Sequence, residues 1–258
     1  MGTDKDSALF AECKWTNEKV DLGVLETLVE RSNLFNDRKK HFYLFAKTGF
    51  TKGCTDKAME MGNVTLVEYA DIKPGDNVLI NAASSSVGLA AIQIVNMRGA
   101  KPIAMTRTSE KRDQLLQLGA AEVIASQEQD LVAEIQRITE GKGTRVVFDP
   151  VGGPAVAKIA QVMPAGGLFY QYGSLDSRDL SIPVIEILGR HLTFRGYEIF
   201  EITTDAEKLA RAKRFIFEGL QSGQLKPLID KTFAFDDIVE AHQYMEANGQ
   251  VGKIVVAL

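Results

Sequence analysis

A run of small residues at the start of a helical pattern is the first feature of this sequence that could bind a charged group. The apolar run Asn77–Ile80 passes into Asn81-Ala82-Ala83-Ser84-Ser85-Ser86-Val87-Gly88, where a helical periodicity begins. Small side chains at such a turn let backbone N–H groups approach a phosphate, and the positive end of the helix dipole faces it. Serines occupy most positions where dinucleotide-binding turns carry glycine, so a plain strand-to-helix turn is an alternative. The residues predicted to hold a diphosphate are Ala83, Ser84, Ser85, Ser86 and Val87.

Cationic and hydroxyl side chains follow the next apolar run. After Pro102–Met105 come Thr106, Arg107 and, shortly after, Lys111, with no acidic residue before Glu110. Proteins that bind NAD usually place an acidic residue here to bind the ribose 2′-hydroxyl. An arginine suits a 2′-phosphate instead, because its guanidinium donates to phosphate oxygens. Thr106, Arg107 and Lys111 therefore favour NADP over NAD, the alternative being a solvated helix start with ordinary surface charges.

Metal-binding side chains are sparse in this sequence. The chain has two cysteines, Cys13 and Cys54, and three histidines, His41, His191 and His242. None of them forms a Cys-x-x-Cys or His-x-x-x-His pair. We therefore expect no metal site and no disulfide framework.

The elements that must position the candidate residues repeat regularly between residues 77 and 196. Short apolar runs alternate there with helical patterns such as Val87–Met97 and Asp130–Thr139. Runs that are apolar on both faces are typical of buried parallel strands. The sequence therefore predicts an α/β fold with a doubly wound parallel sheet of the Rossmann type. The predicted strands are Asn77–Ile80, Pro102–Met105, Val123–Ala125, Val146–Phe148, Leu168–Tyr172 and Leu192–Phe194.

Two flanking segments break this alternation. After Pro227, a predicted helix Ile238–Ala247 and strand Lys253–Ala257 form a helix-strand tail, interpreted as a hairpin-like addition to a different sheet rather than a further strand–helix unit. A small α/β segment comes first, which gives predicted domains of residues 1–64, 65–225 and 226–258. Its predicted elements are strands Ala8–Lys14, His41–Ala46 and Val64–Val67 and helices Leu22–Val29 and Asp56–Met61.

The composition is that of a globular protein. Of 258 residues, 45% are hydrophobic and 25% are charged, and the net charge is −4. The apolar runs are far shorter than the roughly 20 residues of a transmembrane helix. Acidic residues among the first 20 argue against a signal peptide, and the negative charge gives no attraction for nucleic acid. We therefore expect a cytoplasmic protein with a small-molecule partner and neither a membrane nor a nucleic-acid partner.

Five motifs, spread over about three-quarters of the chain, form a specific set. They are Ile72–Asp76, Ala82–Gly88, Leu118-Gly119-Ala120, Phe148–Gly153 and Val251–Val255. In these motifs, residues 68–258 resemble the zinc-independent medium-chain dehydrogenase/reductase family, in its quinone oxidoreductase and enoyl reductase branch. The resemblance implies NADPH as the cofactor and hydride transfer to a quinone, enal or enone.

The resemblance also implies which residues lie beside the nicotinamide. They are Tyr172, Gly173, Ser174 and Leu175 after the fifth strand, Phe194 and Arg195 on the sixth, and Lys253 near the end of the chain. Taken singly, Tyr172 and Phe194 could equally be core aromatics, Gly173 a turn glycine and Lys253 a surface charge. No residue is an evident proton donor, so the catalytic residues are left unassigned. Relatives commonly dimerise through the edge of this sheet, so a homodimer through the strand Leu192–Phe194 is the expected assembly.

The chain departs from this family before residue 65. Members normally begin with a large catalytic domain that covers the nicotinamide and forms most of the substrate pocket. Only the returning segment of that domain, residues 226–258, has a counterpart in the sequence. The expected function is therefore an NADPH-dependent oxidoreductase, and the alternative is a non-catalytic NADP-binding or interaction protein, a fusion relic without turnover.

Residues 1–64 resemble a different family. The segments 11–15 and 41–50, which read Ala-Glu-Cys-Lys-Trp and His-Phe-Tyr-Leu-Phe-Ala-Lys-Thr-Gly-Phe, are similar to the C-terminal end of a PD-(D/E)XK nuclease-like domain of prokaryotic ATPases. That resemblance would place Glu12 on Mg²⁺ and Lys14 near the attacking water. The only upstream acids, Asp4 and Asp6, lie too near the start to occupy a preceding strand. We therefore expect a structural remnant rather than a nuclease.

Overall fold

The computed structural model describes residues 2–3, 7–14, 18–34, 39–46, 49–68 and 72–258. The chain forms two compact units, residues 1–71 and residues 72–258. The predicted boundary between residues 64 and 65 falls at the start of strand β4 (Val64–Glu68). The observed division lies later, because β4 pairs with a strand of the first unit. Asp4 and Asp6 lie outside the described residues.

The first unit is a four-stranded sheet with two helices. The strand order is β1-β2-β3-β4, with β1 antiparallel to β2 and the other pairs parallel. Leu25, Leu44 and Cys54 are buried in one core cluster, and burial raises the pKa of the Cys54 thiol. The elements are β1 (Gly2–Thr3), β2 (Ser7–Lys14), α1 (Leu22–Ser32), β3 (Lys39–Ala46), α2 (Lys52–Met61) and β4 (Val64–Glu68). They confirm the three predicted strands and two predicted helices, but β1 was not predicted and α2 begins at Lys52 rather than at Asp56.

The second unit is built on a six-stranded parallel sheet. Its strand order is β10-β9-β8-β5-β6-β7, which confirms the predicted doubly wound fold and all six predicted strands. The elements are β5 (Asn77–Asn81), α3 (Ser86–Met97), β6 (Lys101–Thr106), α4 (Arg112–Gln117), β7 (Glu122–Ala125), α5 (Leu131–Ile138), β8 (Val146–Asp149), α6 (Ala155–Gln161), β9 (Leu168–Gln171), α7 (Val184–Arg190), β10 (Thr193–Gly196), α8 (Phe200–Thr203) and α9 (Ala206–Gln221).

Both faces of this sheet are buried. Val78 and Ile80 of β5 belong to one core cluster, whereas Leu79, which points to the opposite face, belongs to another. All three side chains are at most 1% exposed. Alternate residues of one strand therefore contact helices on opposite sides, which explains why the strands are continuous apolar runs.

The C-terminal segment corrects one prediction. It consists of β11 (Ile229–Ala234), α10 (Ile238–Glu246) and β12 (Lys253–Ala257), and β11 and β12 pair in parallel as a separate two-stranded sheet. The separate sheet was predicted, but the hairpin-like form and the exclusion of a further strand–helix unit were wrong. Two strands joined through a helix run in the same direction, and β11 itself was not predicted because five of its six residues are exposed.

No helix within the described ranges is both long enough and apolar enough to cross a membrane.

Candidate functional site

The order of the strands reverses at the centre of the six-stranded sheet. Strand β5 lies between β6 and β8, so the chain runs outward through β6 and β7 and then returns to β8 on the other side. In open parallel sheets, ligands bind in the crevice beyond the carboxyl ends of the strands at this reversal. The residues at these two strand ends are Asn81 and Asp149.

Asn81 and Asp149 connect the two central strands. Asn81 Nδ2 donates to Asp149 Oδ1 over 3.0 Å, and Asn81 Oδ1 accepts from the Ala82 N–H over 2.8 Å. Asp149 Oδ1 also accepts from the N–H groups of Val151 at 2.6 Å and Gly152 at 3.3 Å. The pair therefore holds the loops after β5 and β8 to each other. Neither residue was predicted as a site residue, although a polar residue that ends an apolar strand is a signal that could have indicated both.

Asp149 lies on the floor of the crevice. Its side chain is 0% exposed, and burial raises the pKa of the carboxyl against the opposing effect of the donors at Oδ1. Neither Asp149 Oδ2 nor the buried Tyr172 hydroxyl has a hydrogen-bond partner among the described residues. The Tyr172 ring stacks on Phe148 with 4.0 Å between centroids, and burial, followed by the Asp149 charge, raises the pKa of the phenol. Two unpaired polar groups thus lie at the carboxyl ends of β8 and β9.

The loop from β5 to α3 turns in a small space. Ala82 has φ 50°, and the Ser85 hydroxyl accepts from the Gly88 N–H over 3.0 Å, which caps α3. A Cβ on Gly88 would lie 2.6 Å from the carbonyl oxygen of Ala83 and 2.7 Å from that of Ala82. Since both contacts are with backbone, only glycine lets the first turn of α3 pack this closely against the loop.

The residues predicted to hold a diphosphate lie together in this loop. Ala83 is fully buried, Val87 is exposed, and the side chains of Ser84, Ser85 and Ser86 are half-buried. The first turn of a helix leaves N–H groups without intrahelical partners, and here these include the N–H groups of Ser86 and Val87. The loop thus combines small side chains with a helix N-terminus, as an anion site requires.

The end of β6 lies beside this loop, because the Ala83 N–H donates to the Met105 carbonyl over 3.2 Å. Thr106 is buried, and its hydroxyl donates to the Thr108 carbonyl over 2.8 Å. Arg107 is exposed, and its charge contributes to lowering the pKa of Lys111. Arg107 is therefore accessible from solvent, whereas the Thr106 hydroxyl is used within its own turn.

Lys111 contacts the C-terminal segment, which the sequence did not indicate. Its Nζ donates to the carbonyls of Asn248 and Gln250 over 2.7 and 2.8 Å, and to Ser84 Oγ over 3.4 Å. Burial is the main cause that lowers the pKa of this ammonium group. The same segment contacts the loop through its backbone, since the Gly252 N–H donates to the Ser84 carbonyl over 3.0 Å.

Lys253 follows Gly252 directly and is exposed. Its N–H donates to the Leu228 carbonyl over 2.8 Å, which begins the pairing of β12 with the segment before β11. Its side chain therefore starts one residue from the backbone contact between Gly252 and the β5–α3 loop.

The residues after β9 lie against the loop after β8. A Cβ on Gly173 would lie 2.8 Å from the Pro150 carbonyl oxygen, and that same oxygen accepts from the Leu175 N–H over 3.0 Å. Ser174 is exposed, and Leu175 is 75% exposed. Tyr172, Gly173, Ser174 and Leu175 therefore form one edge of the crevice, with the tyrosine inside and the leucine in solvent.

Phe194 and Arg195 lie apart from these groups, on the edge strand β10. Phe194 is half-buried and stacks on Phe169 with 5.0 Å between ring centroids, so it contributes to the core. Arg195 forms an ion pair with Glu201, and its guanidinium carbon lies 5.8 Å from the centroid of the Tyr170 ring. Both residues therefore have contacts within their own unit.

The first unit brings Glu12 and Lys14 to one face of β2. Glu12 pairs with Lys14 over 3.0 Å and with Arg31 over 3.6 Å, at the side of a cleft of about 310 Å³ that Asp21 also lines. Within the described part of the chain, no three or more His, Cys, Asp or Glu side chains come together in a way that could hold a metal ion. Glu12 is paired with two cationic side chains.

Comparison with known proteins places the second unit in a family. A model described as zinc-binding dehydrogenase matches residues 118–256, just over half of the chain. The 2-haloacrylate reductase of Burkholderia sp. is 28% identical over 187 residues, a match that covers 72% of this chain and 56% of the relative. A phenolphthiocerol/phthiocerol polyketide synthase polypeptide of Mycobacterium tuberculosis is 27% identical, covering 75% of this chain and 9% of the synthase.

A solved structure agrees with these sequence matches. The crystal structure of Escherichia coli quinone oxidoreductase complexed with NADPH is 29% identical, with a TM-score of 0.65, and covers 72% of this chain and 58% of that one. The chain thus spans little more than half the length of the single reductases that it matches, and a small part of the synthase. These comparisons give no support to the predicted resemblance of residues 1–64 to a nuclease-like domain. The chain belongs to the zinc-binding dehydrogenase family.

Proposed function

We propose that this chain binds NADPH in the crevice of the six-stranded sheet and transfers a hydride from it to a small activated carbonyl compound or quinone. The observation that carries this proposal is the loop Ala82–Ser85, closed against α3 by Gly88, at the point where the strand order reverses. The solved NADPH complex of a family relative supports it. Residues 226–258 are proposed to be the returning segment of the family's catalytic domain.

The diphosphate of the cofactor is proposed to lie against Ala83–Val87. The structure fits this group, because the loop side chains are small and the capped N-terminus of α3 presents N–H groups at the crevice. Any larger residue at Gly88 would separate the helix from the loop. Ser84 lies in the same loop, with its carbonyl already accepting from Gly252.

The 2′-phosphate is proposed to bind at the end of β6, where Arg107 is exposed. The neighbouring Thr106 hydroxyl donates within its own turn, so its part is to shape this turn. Lys111, predicted with this group, has its donors occupied by two backbone carbonyls and the Ser84 hydroxyl, so Arg107 is proposed as the phosphate ligand. No acidic residue ends β6, which supports NADP over NAD.

Arg107→Ala is expected to weaken NADPH binding about 10- to 100-fold, because one charge-assisted hydrogen bond to the 2′-phosphate contributes about 1.5–3 kcal/mol. The affinity for NADH, which has no 2′-phosphate, is expected to stay within about twofold of the parent value. Isothermal titration calorimetry with both cofactors measures the ratio. Lys101→Ala, which removes an exposed cation from the opposite end of β6, is the matched control and is expected to change neither affinity. An unchanged ratio for the Arg107 variant would exclude Arg107 as the phosphate ligand.

The nicotinamide is proposed to lie near the ends of β8 and β9, beside Tyr172, Gly173, Ser174 and Leu175. The close approach of Gly173 to Pro150 holds the loop after β9 against the loop after β8. Tyr172 would form the inner wall, and its hydroxyl is unpaired among the described residues. Phe194 and Arg195 are proposed to lie on one side of the nicotinamide, and Lys253 is proposed to lie on the other. Bound NADPH would supply the hydride, while these residues would orient the ring and exclude water.

Non-catalytic cofactor binding is the second candidate function. The observation that favours it is that the chain spans only 56% and 58% of two reductase relatives. Hydride transfer requires the acceptor to be held against the nicotinamide and shielded from water. A protein that binds NADPH without holding an acceptor in this way would show no turnover.

Titration of the whole chain with NADPH and NADH, followed by NADPH oxidation assays with quinones and enals, tests both functions. Tight NADPH binding with steady oxidation supports the reductase, and tight binding without oxidation supports the binding protein. Failure to bind either cofactor would overturn both.

A homodimer through β10 is proposed as the assembly. Strand β10 ends the strand order, and the N–H groups of Thr193 and Tyr197 donate to the β9 side, at Gly167 and Gln171. Since N–H directions alternate along a strand, the N–H groups of Phe194 and Gly196 face the open edge. A second copy could pair with this edge antiparallel about a twofold axis.

Gly196→Pro is expected to weaken the dimer about tenfold, because it removes one edge donor from each copy and each hydrogen bond contributes about 0.5–1.5 kcal/mol. Sedimentation velocity over a concentration series measures the monomer–dimer equilibrium. Gly196→Ala is the control, because no heavy atom lies within 4 Å of its added Cβ. A proline variant that dimerises like the alanine variant would show that β10 is not the interface.

A further inference from the structure

Lys111 connects two parts of the chain that are far apart in sequence. Its ammonium group donates to the carbonyls of Asn248 and Gln250, 137 and 139 residues away, and to the hydroxyl of Ser84. An ammonium group has three N–H donors, so these contacts use all of them. A phosphate ligand of Lys111 would have to displace at least one of these partners.

The segment held by Lys111 closes over the proposed diphosphate loop. The Gly252 N–H donates to the Ser84 carbonyl over 3.0 Å, and Ser85 and Gly252 form an isolated parallel bridge. Val251 is 3% exposed and packs in the same core cluster as Ala83. Ser84 therefore contacts residue 252 through its backbone and Lys111 through its side chain.

The charges around Lys111 do not pair it with an anion. The contacting atoms are two neutral carbonyls and one hydroxyl, and no salt bridge of Lys111 occurs within the described residues. Burial, followed by the repulsion of Arg107, lowers the pKa of the ammonium group and outweighs the opposing attraction of Asp230 and Glu110. A group held by carbonyls in this way fixes a backbone segment.

We propose that Lys111 is a positioning residue that holds residues 248–252 against the phosphate loop, and that the docked segment is needed to bind the diphosphate common to NADPH and NADH. This inference rests on the proposed cofactor function. The inference gives different roles to two cationic residues that lie close together in the sequence. Arg107 distinguishes NADPH from NADH, whereas Lys111 affects both cofactors equally.

Lys111→Met tests this inference with two measurements, because methionine keeps a similar length without donors. Hydrogen exchange of the cofactor-free protein measures whether residues 248–252 stay packed against the phosphate loop. Protection of the Gly252 and Lys253 amides is expected to fall about tenfold or more, because two or three hydrogen bonds are lost. Calorimetry is expected to show both dissociation constants raised by a similar factor of about five to twenty, with their ratio kept within about twofold. Arg107→Ala is the contrasting control, because it changes the ratio and leaves amide protection intact.

A second variant undocks the segment without touching Lys111. Gly252 has φ 111°, and a Cβ there would lie 2.6 Å from the Leu228 carbonyl oxygen. Gly252→Ala is therefore expected to lower amide protection at residues 251–253 and to weaken both cofactors by a similar factor. Full cofactor affinity in a Gly252→Ala protein with lost protection would overturn the proposal.

Two results for the Lys111 variant would also overturn it. A selective loss of NADPH affinity with unchanged amide protection would make Lys111 a ligand of the 2′-phosphate. Unchanged protection and unchanged affinities would show that Lys111 positions nothing. If the parent protein bound neither cofactor, the proposed function would fail, and unchanged exchange in the Lys111 variant would still reject the docking role independently.

Discussion

Ser86→Asp is expected to weaken NADPH and NADH binding by at least tenfold each. Residue 86 is the first residue of α3 and half-buried in the proposed diphosphate loop. A unit charge about 4 Å from a phosphate charge costs up to about 4 kcal/mol at an effective dielectric constant of about 20, so a tenfold loss, about 1.4 kcal/mol, is a conservative expectation. Both cofactors are affected because both carry the diphosphate.

The same substitution is expected to leave the cofactor-free protein as stable as the parent or slightly more stable. An aspartate in the first turn interacts favourably with the helix dipole, by about 0.3–1 kcal/mol. Loss of affinity with an unchanged or raised melting temperature therefore separates an effect on the ligand from an effect on folding. Thermal melts and calorimetry on the same samples provide both quantities.

Ser86→Asn is the matched control, because asparagine has nearly the size of aspartate without its charge. It is expected to bind both cofactors within about threefold of the parent, since it adds no repulsion against the diphosphate. Equal affinities for the aspartate and asparagine variants would mean that the diphosphate does not bind at the N-terminus of α3.

Gly88→Ala is expected to destabilise the second unit by about 3 kcal/mol, at the upper end of the usual cost of overpacking. The added Cβ would lie 2.6 Å and 2.7 Å from two carbonyl oxygens and 2.7 Å from the Cα atom of Ala83. None of these atoms can rotate away as a side chain would, so α3 or the loop must move. A melting temperature lowered by about 6–12 °C is expected for a unit of this size.

Cofactor affinity is expected to fall in the same variant, because moving α3 from the loop withdraws the N–H groups of Ser86 and Val87. Gly189→Ala is the control, since Gly189 lies in α7 and no heavy atom lies within 4 Å of its added Cβ. That control is expected to be neutral or to stabilise by about 0.5–1 kcal/mol. A Gly88→Ala protein that melts with the parent would show that the loop adapts without cost, which would contradict the close-packing argument.

Local sequence patterns predicted most of the strands and helices of both units. The runs at 77–80 and 146–148 are apolar at nearly every position, as expected of strands that are buried on both faces. The small residues before Gly88 indicate the turn into a helix. The doubly wound parallel fold could be predicted because parallel strands joined by helices have few right-handed arrangements. The diphosphate loop and Arg107 could be proposed from local patterns, since each lies within one strand–turn–helix unit.

Contacts between residues far apart in the sequence could be seen in the folded chain but not predicted. Asn81 and Asp149 are 68 residues apart, and Lys111 and Gln250 are 139 apart, so no local pattern reports either contact. The parallel pairing of β11 with β12 was missed for a related reason, because an exposed strand such as β11 carries no apolar run. Periodicity records how a residue is buried, whereas the identity of its partner depends on how the whole chain closes. The role proposed for Lys111 follows from that closure, because two of its three hydrogen-bond acceptors are backbone carbonyls that any sequence could supply.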